Sequence, residues 1–449
     1  DRGAAAGMRK KSLMRTLIVS LAALSAAIGT AQADTLGEAM TSAQESNPTL
    51  AAQRQRLRAT REALPQAVSA ALPQISLSAS ANAADRDFED PLTPDDGRTE
   101  TWSSSANISQ LLFGSGRVLA STRAARAQIA GATADYEGAR QSLLLDVTTA
   151  YANVRQAQAV VTARETTVAN LQRLLEYAQA QFDAGVVTRT DVAQAQARYA
   201  QARTQLVQAQ GAMAASVEAY RRLVGRPPSD LQVPPAATGL PMDLDSALST
   251  AVDNNPTLIS AQADTRLADA NVASAAAQGR LNVTAEAGFS QGADFDDDLS
   301  ESSNDTVGVR LSVPLFQGGL IRSRTRQQRA LRSASNLDLA ATQRSVQEVV
   351  TNAWTGLASA RSAVQSAREQ VEASELAYEG VRLEQETGLR STVEVLDQEA
   401  DLLTARLALA QAERDLVVAE RQMLAAVGTL DIPAGSGGLI EDNDQLRGR

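Results

Sequence analysis

Apolar and polar residues alternate in four stretches of the chain, residues 75–81, 104–113, 281–289 and 307–315. Successive side chains of a strand point to opposite faces, so each stretch predicts a strand with one apolar face. Such alternation over about nine to eleven residues is typical of membrane β-strands, and half-buried strands of a water-soluble sandwich leave the same pattern. A sandwich needs more than four strands and more aromatic residues than the 3% found here.

Elsewhere the apolar residues recur every three or four positions, which predicts helices. A helix of about thirty residues precedes each strand pair, over 36–64 and 244–278. A much longer helix follows each pair, over about 115–181 and 319–384. Sixty-odd residues at 1.5 Å per residue make a helix about 100 Å long.

A second helix follows each long helix after a glycine, Gly185 or Gly388, and we expect it to return alongside the first. Its apolar residues have the spacing of a coiled-coil seam, and in the second returning helix they lie on two flanks, which suits contact with two neighbours in a closed ring of helices. The seam of the first returning helix comprises Val192, Ala195, Tyr199, Ala202, Leu206, Ala209 and Met213. The two series of the second comprise Val395, Leu402, Leu409 and Leu416, and Leu396, Leu403 and Ala410.

The chain contains the same order of elements twice. The sequence Asn-Pro-Thr-Leu occurs at 47–50 and again at 255–258, and Phe113 corresponds to Phe316. We therefore predict two repeats. Repeat 1 covers 34–230, with strand pair 74–113 and helical hairpin 115–224; repeat 2 covers 231–437, with strand pair 281–315 and helical hairpin 319–427. A proline-rich segment, 226–241, joins them, and a polar tail covers 438–449.

Residues 8–33 have the pattern of a secretory signal peptide. Arginine and lysine come first, an apolar run over 17–29 follows, and the small residues of Ala31-Gln32-Ala33 complete a cleavage site. The apolar run is too short to span a bilayer as a stable helix, and an N-terminal membrane anchor is the alternative. We expect the mature chain to begin at Asp34 and assign no role to residues 1–7.

Composition excludes several kinds of function. The chain has no cysteine and no histidine, which excludes thiol nucleophiles, Ser-His-Asp triads and the commonest zinc ligands. We find no catalytic constellation and no phosphate-binding glycine loop, and we predict neither an enzyme nor a cofactor or metal site. A net charge of −10 makes the chain a poor nucleic-acid binder.

Two turn-rich acidic segments, 85–100 and 291–306, connect the paired strands and should be exposed loops. Asp296, Asp297 and Asp298 in the second have the ligand type that a divalent cation prefers. Such a run is more often simply solvated, and the sequence leaves both interpretations open.

Four strands cannot close a barrel in lipid, because an open edge leaves backbone groups unpaired at several kcal/mol each. The smallest bacterial barrels have about eight strands, so at least two chains must combine theirs. A combined barrel continued by helices of about 100 Å is a conduit through one membrane and much of a periplasm.

The sequence resembles the TolC-like outer-membrane factors over nearly all of 34–432. The resemblance rests on the repeated order of elements and on "ESNPTL", "LLFGSG" and "PLFQGG", "FDAGVVTRTDV", "TGLRSTVEVLD" and "AVGTL". Among these proteins the sequence most resembles the type I secretion channels, judging by "SNPTLAAQRQRLRAT".

The resemblance implies a mainly α-helical homotrimer in the outer membrane of a Gram-negative bacterium. Its twelve-strand barrel would continue as a twelve-helix coiled-coil tunnel in the periplasm. Such a channel is a passive exit duct that works with a periplasmic adaptor and an inner-membrane ABC or RND transporter, and its cargo is a small molecule or a protein. The alternative is a periplasmic coiled-coil adaptor or scaffold without a membrane barrel.

The hairpin turns lie at the end of the helices away from the strands, which predicts two tips on the periplasmic side. Thr190 or Asp191, and Ser391 or Thr392, have the side chains to cap the returning helices. By resemblance, the exposed tip residues are the docking surface for the adaptor. They are Gly185, Val186, Gly388 and Leu389.

Glu394 and Asp397 lie three residues apart, on one face of the returning helix. In a trimer each becomes a ring of three carboxylates, which admits cations and hinders anions. The resemblance places the channel constriction at these two residues and implies that Arg390 pairs with Asp191 and Thr190 of a neighbouring hairpin to hold the entrance shut. The chain departs from the family in having glutamate at 394 and Gln385 where an aromatic residue is usual; a solvated acidic helix face is the alternative.

Overall fold

A computed structural model describes residues 34–86, 97–295 and 301–433. The predicted signal peptide 8–33, the polar tail 438–449 and Asp296, Asp297 and Asp298 lie outside these residues. Among the described helices, none is long and apolar enough to cross a membrane.

The four predicted strands form one antiparallel sheet in chain order. They are β1, Gln74–Arg86; β2, Gly97–Phe113; β3, Asn282–Asp294; and β4, Ser302–Ser312. The strands β1 and β2 extend well into the segment that we predicted as the loop 85–100. The prediction that the last strand reaches residue 315 is wrong, because β4 ends before Pro314, which has no N–H to donate to a partner strand.

The register brings the apolar residues of neighbouring strands onto one face of the sheet. Ile75 is opposite Ile108, Ile108 opposite Ala287, and Ala287 opposite Val307. Nothing in the described chain covers this face, since Ile75 is 74% exposed and Val307 is 90% exposed. Serines occupy much of the other face, where, for example, the hydroxyls of Ser78 and Ser105 lie 2.8 Å apart. The sheet thus has one apolar and one polar face, both open.

Two helical hairpins of equal dimensions follow the strand pairs. Each has a 67-residue helix, α4 (Arg117–Asp183) or α8 (Leu320–Glu386), and a 36-residue returning helix, α5 (Arg189–Val224) or α9 (Thr392–Val427). The long helices are about 100 Å in length. The seam residues Ala195, Ala202, Val395 and Leu402 are buried, as the spacing predicted.

The two helices of about thirty residues that we predicted at 36–64 and 244–278 are each divided. The first is α1 (Leu36–Ser46), α2 (Pro48–Arg61) and α3 (Ala63–Ser69); the second is α6 (Leu244–Asn254) and α7 (Pro256–Ala277). The break falls at Asn-Pro in both repeats, because the residue before a proline is disfavoured in helical conformation. The side-chain oxygen of Asn47 instead accepts hydrogen bonds from the N–H groups of Thr49 and Leu50 and begins the next helix.

The same asparagines attach each short helix to the end of a returning helix. The Asn47 side-chain amide donates to the carbonyl of Leu223 at 3.4 Å, and the Asn255 amide donates to that of Ala426 at 2.9 Å. The helix α4 packs against α2, α5, α7 and α9, and α8 packs against α7 and α9. The two hairpins therefore lie side by side, joined through α4 and α9.

The largest cluster of buried side chains lies where these helix ends meet. Tyr151 and Tyr220 are fully buried there, with ring centroids 6.4 Å apart. The Tyr151 hydroxyl donates to the backbone oxygens of Asp34 and Gln232, at 2.8 and 2.7 Å. This core holds together the C-terminal ends of the two returning helices. The hairpin turns lie at the opposite ends of these helices.

Candidate functional site

The two hairpin turns are built alike. Gly185 and Gly388 have positive φ angles of 76° and 81°, a conformation that glycine adopts without strain. The returning helices begin with capping boxes, Thr188 with Asp191 and Ser391 with Glu394. Ser391 is thus the cap of α9, one of the two residues predicted. The prediction of Thr190 or Asp191 as the cap of α5 is wrong, because Thr188 holds that position and Asp191 is its partner in the box.

The exposed ends of the turns carry the predicted docking residues. Val186 and Leu389 are both well exposed, and a Cβ added at Gly185 or Gly388 would meet nothing within 4 Å. The two apolar side chains therefore project from the tips into solvent, and the backbone at the two glycines is uncovered. Nothing in this chain shows what contacts them, and the docking role stays a prediction.

Arg390 is bound within its own hairpin. Its Nε donates to Glu384 Oε2 at 2.9 Å and its Nη1 donates to Glu394 Oε1 at 2.8 Å. The predicted latch partner Asp191 accepts instead from the hydroxyl and the N–H of Thr188. Within one chain Arg390 therefore contacts neither Asp191 nor Thr190, and the latch with a neighbouring hairpin stays a prediction.

Glu394 is held as a carboxylate. The backbone N–H of Ser391, the Arg390 guanidinium and the Ser391 hydroxyl all donate to it, and they lower its pKa to about 2. Because these donors stabilise the ionised form, the side chain keeps its negative charge through any physiological pH. The same contacts order the first turn of α9.

Asp397 faces the other hairpin. Its Oδ1 lies 3.4 Å from Nη2 of Arg198 on α5, with both side chains about half exposed. Next to this pair, Leu396 packs with Leu171 and Ala202, which belong to the first hairpin. One side of α9 near the tip thus carries the two predicted constriction residues, Glu394 and Asp397, next to a contact that joins the hairpins.

Gln385, which stands where an aromatic residue is usual in the resembling family, is buried. Its side-chain amide donates to the hydroxyl of Thr392 at 3.3 Å. The contact joins the end of α8 to the beginning of α9, so Gln385 stabilises the turn of its own hairpin.

Sequence reasoning missed Glu399, a carboxylate only 2% exposed at the junction of both hairpins. The Asn170 amide of α4 donates to its Oε2 at 3.0 Å, and Thr167 and Tyr378 also bond to it. Burial raises the pKa of Glu399, and these hydrogen bonds oppose the rise. The spacing of the seam residues could have identified Glu399. It falls four residues after Val395 and three before Leu402, at a position where a coiled-coil seam has an apolar residue.

A cavity of about 660 Å³ opens beside Glu399 between α4, α8 and α9. Arg406 in its wall is paired with Glu375 at 2.8 Å. Other residues of the wall include Asn170, Arg173, Tyr177, Tyr378 and Arg382. The hairpins are therefore joined near the tips by polar contacts around a cavity rather than by a continuous apolar seam.

A sheet with an open apolar face, continued by helices of about 100 Å that end in charged tips, defines the class of outer-membrane channels. The sequence matches the family described as "Outer membrane efflux protein" over residues 39–226 and 247–429. The chain belongs to this family of transport channels.

Relatives of nearly full length agree with that membership. "Outer membrane efflux protein BepC" of Brucella suis is 29% identical over 424 residues, which cover 93% of this chain and 91% of that protein. "Outer membrane protein TolC" of Vibrio cholerae is 30% identical over 437 residues, covering 94% and 96%. The crystal structure of VceC from Vibrio cholerae has the same fold, with a TM-score of 0.74, 20% identity and coverage of 88% and 96%. The protein is an outer-membrane channel for efflux or secretion that extends into the periplasm.

Proposed function

We propose that three copies of this chain assemble into one passive duct. Their twelve strands form a barrel in the outer membrane, and twelve helices, four from each copy, form a tunnel in the periplasm. A periplasmic adaptor and an inner-membrane ABC or RND transporter supply energy and cargo, which is a small molecule or a protein. The observation that carries the proposal is the sheet, which ends in open edges at β1 and β4.

The open edges favour assembly for an energetic reason. In hydrocarbon an unpaired backbone group costs several kcal/mol, and β1 and β4 have 13 and 11 residues. Pairing β1 of one copy with β4 of the next satisfies both edges. Repeating this pairing closes a barrel whose apolar face meets lipid and whose serine-rich face lines the lumen.

The tips form the periplasmic entrance of this duct. Three copies each of Glu394 and Asp397 make two rings of carboxylates that pass cations and hinder anions. Glu394 is well suited to this role because its hydrogen bonds keep it ionised. Arg390 is exposed beside the ring, where an exchange of its partner from Glu394 to Asp191 and Thr190 of the next protomer closes the entrance.

The adaptor docks on the tips through Gly185, Val186, Gly388 and Leu389. Two features support this assignment: the apolar side chains are uncovered, and the glycines leave the backbone open to a partner. The contact places the adaptor beside the ion pairs of Arg390, which are weak because both partners are exposed to solvent. A docking partner can therefore displace them.

Cysteine cross-linking tests the shared barrel, since the chain has no cysteine of its own. Ser78→Cys on β1 is combined in turn with Asn304→Cys, Thr306→Cys or Gly308→Cys on β4, all on the polar face. Oxidation should yield covalent trimers for the position that lies opposite Ser78 of the next copy. Leu77→Cys in place of Ser78→Cys is the control and should give none. Monomers throughout the series would contradict the barrel.

A further inference from the structure

Arginine is distributed unevenly around the junction between strands and helices. Residues 101–134 and 306–337 contain no aspartate or glutamate, although the whole chain has 52 of them and a net charge of −10. The same two stretches contain nine arginines. They are Arg117, Arg123 and Arg126, and Arg310, Arg322, Arg324, Arg326, Arg329 and Arg332.

Two of these arginines occur as a pair in both repeats. Arg123 and Arg126 correspond to Arg326 and Arg329 at the offset of 203 residues that also relates Phe113 to Phe316. All four are exposed. Within the part of the chain that the structure describes, none of the four guanidinium groups is hydrogen-bonded or ion-paired. Their charges are therefore available to a ligand.

The arginine pairs lie just below the apolar sheet. Phe113 ends β2, and Phe316, 88% exposed, follows β4. Leu119 and Leu320 continue the exposed apolar surface into the first helical turns. Arg123 and Arg126 lie about 9 and 13 Å along α4 from its start at 1.5 Å per residue. The polar layer of a bilayer adds about 5–7 Å on each side of the hydrocarbon, and an arginine side chain reaches upward from its backbone.

A cavity of about 390 Å³ gives the first pair a defined site between α4 and α7. Arg123, Arg126 and Arg266 line it, together with Asp269 and small alanine side chains. Asp269 is already engaged, since its Oδ1 lies 3.6 Å from Nη1 of Arg332 on α8. Three arginines therefore line a space that also has one carboxylate, and that carboxylate is paired with Arg332.

We propose that this cavity binds the phosphate of an anionic phospholipid from the inner leaflet of the outer membrane. Arginine donates paired hydrogen bonds to phosphate oxygens, and cationic side chains near a membrane surface are attracted to anionic lipids. The acyl chains of the bound lipid lie upward along Leu119 and the apolar face of the sheet. Arg326 and Arg329 present a second, repeat-related contact to the same leaflet. This inference rests on the proposed placement of the sheet in lipid.

Native mass spectrometry of the detergent-purified trimer tests the site with phosphatidylglycerol and phosphatidylcholine as probes. The wild type should retain phosphatidylglycerol preferentially. Arg123→Gln/Arg126→Gln/Arg266→Gln should lower that retention at least about tenfold, since three charges are lost. Arg344→Gln/Arg361→Gln is the control, because both arginines are exposed on α8 far below the strands, and it should bind like the wild type. Asp269→Asn should bind more tightly.

Three results would overturn the proposal: equal retention of both lipids by the wild type, full retention by the triple variant, or complete displacement of lipid by equimolar glycerol 3-phosphate. A triple variant that alters the ion selectivity of the channel while keeping its lipid would instead place the arginines in the lumen, which also contradicts the site. Cross-linking through β1 and β4 in the same preparations reports separately whether the trimer has formed. A failure of assembly is thereby distinguished from a failure of lipid binding.

Discussion

The side-chain amide of Asn170 donates to the buried carboxylate of Glu399 at 3.0 Å and so connects the first hairpin to the second. Tyr378, on the long helix of the second hairpin, bonds to the same carboxylate. Glu399, two residues beyond Asp397 on α9, thereby contacts two other helices, α4 and α8. Any movement that separates the hairpins at the entrance must break the bonds from Asn170 and Thr167, so the state of Glu399 is linked to the opening of the tips.

Replacing Glu399 by glutamine should change how stability depends on pH. Burial raises the pKa of Glu399, so folding favours its protonated form. Its contribution to stability is full below the pKa of an unfolded glutamate and is lost as pH rises through the higher folded pKa. Thermal melts of the trimer between pH 4 and 7.5 test this, because Glu399→Gln should lack the loss of stability at high pH. At pH 7.5 the variant should melt a few degrees above the wild type, which corresponds to about 1 kcal/mol in the free energy of unfolding.

The comparison needs an exposed carboxylate on the same helix as its control. Glu413 is exposed and lies 3.5 Å from Arg368, so Glu413→Gln should melt in parallel with the wild type. A Glu399→Gln curve that also parallels the wild type at every pH would show that the buried carboxylate is not the titrating group.

Removing Arg390 should open the entrance. Arg390 is the cation that we place in the latch, so Arg390→Ala should raise the single-channel conductance in planar bilayers several-fold. Asp191→Ala should act in the same direction if the two residues hold neighbouring protomers together. Unchanged conductance in both variants would refute the latch.

Asp191 requires a separate control because it also completes the capping box of α5. Thr188→Ala removes the same cap, which is worth about 1 kcal/mol, and leaves the carboxylate in place. We expect Thr188→Ala to lower the melting temperature without raising conductance. If it opens the channel as far as Asp191→Ala does, the effect comes from a loosened turn and not from a lost ion pair.

Neutralising the carboxylate rings should abolish cation selectivity. Glu394→Gln keeps a side chain that can complete the capping box, and Asp397→Asn is similar in size, so both variants should fold. The double variant should lower the ratio of cation to anion permeability several-fold in reversal-potential measurements. In the wild type the selectivity should persist at pH 4, because the pKa of Glu394 is about 2. Loss of selectivity between pH 7 and 4 would show that Glu394 does not control permeation.

Local sequence patterns predict most of the fold but only part of the candidate site at the tips. Alternation placed Ile75 and Val307 on one face, and the register confirms it, because side-chain direction in a strand depends only on position parity. The breaks at Asn47 and Asn255 follow from the prolines after them, although the predicted helices 36–64 and 244–278 run through both positions. The hydrogen bond between Asn170 and Glu399 joins residues more than 200 positions apart, and no local pattern predicts that these two side chains will meet.

Gly428, which ends α9, and Gly185, in the turn after α4, should differ sharply in their tolerance of alanine. Gly428 has a φ of 83°, and a Cβ there would collide with the backbone carbonyl of Asn254. Gly185 has a similar φ of 76° but open space around it. Gly185→Ala should therefore cost about 1 kcal/mol from backbone strain alone, whereas Gly428→Ala must also displace α6 and should cost several kcal/mol or prevent assembly. Thermal melts of the two trimers compare these losses of stability directly. Equal losses would show that the backbone at Asn254 and Asn255 can move aside at no cost in stability.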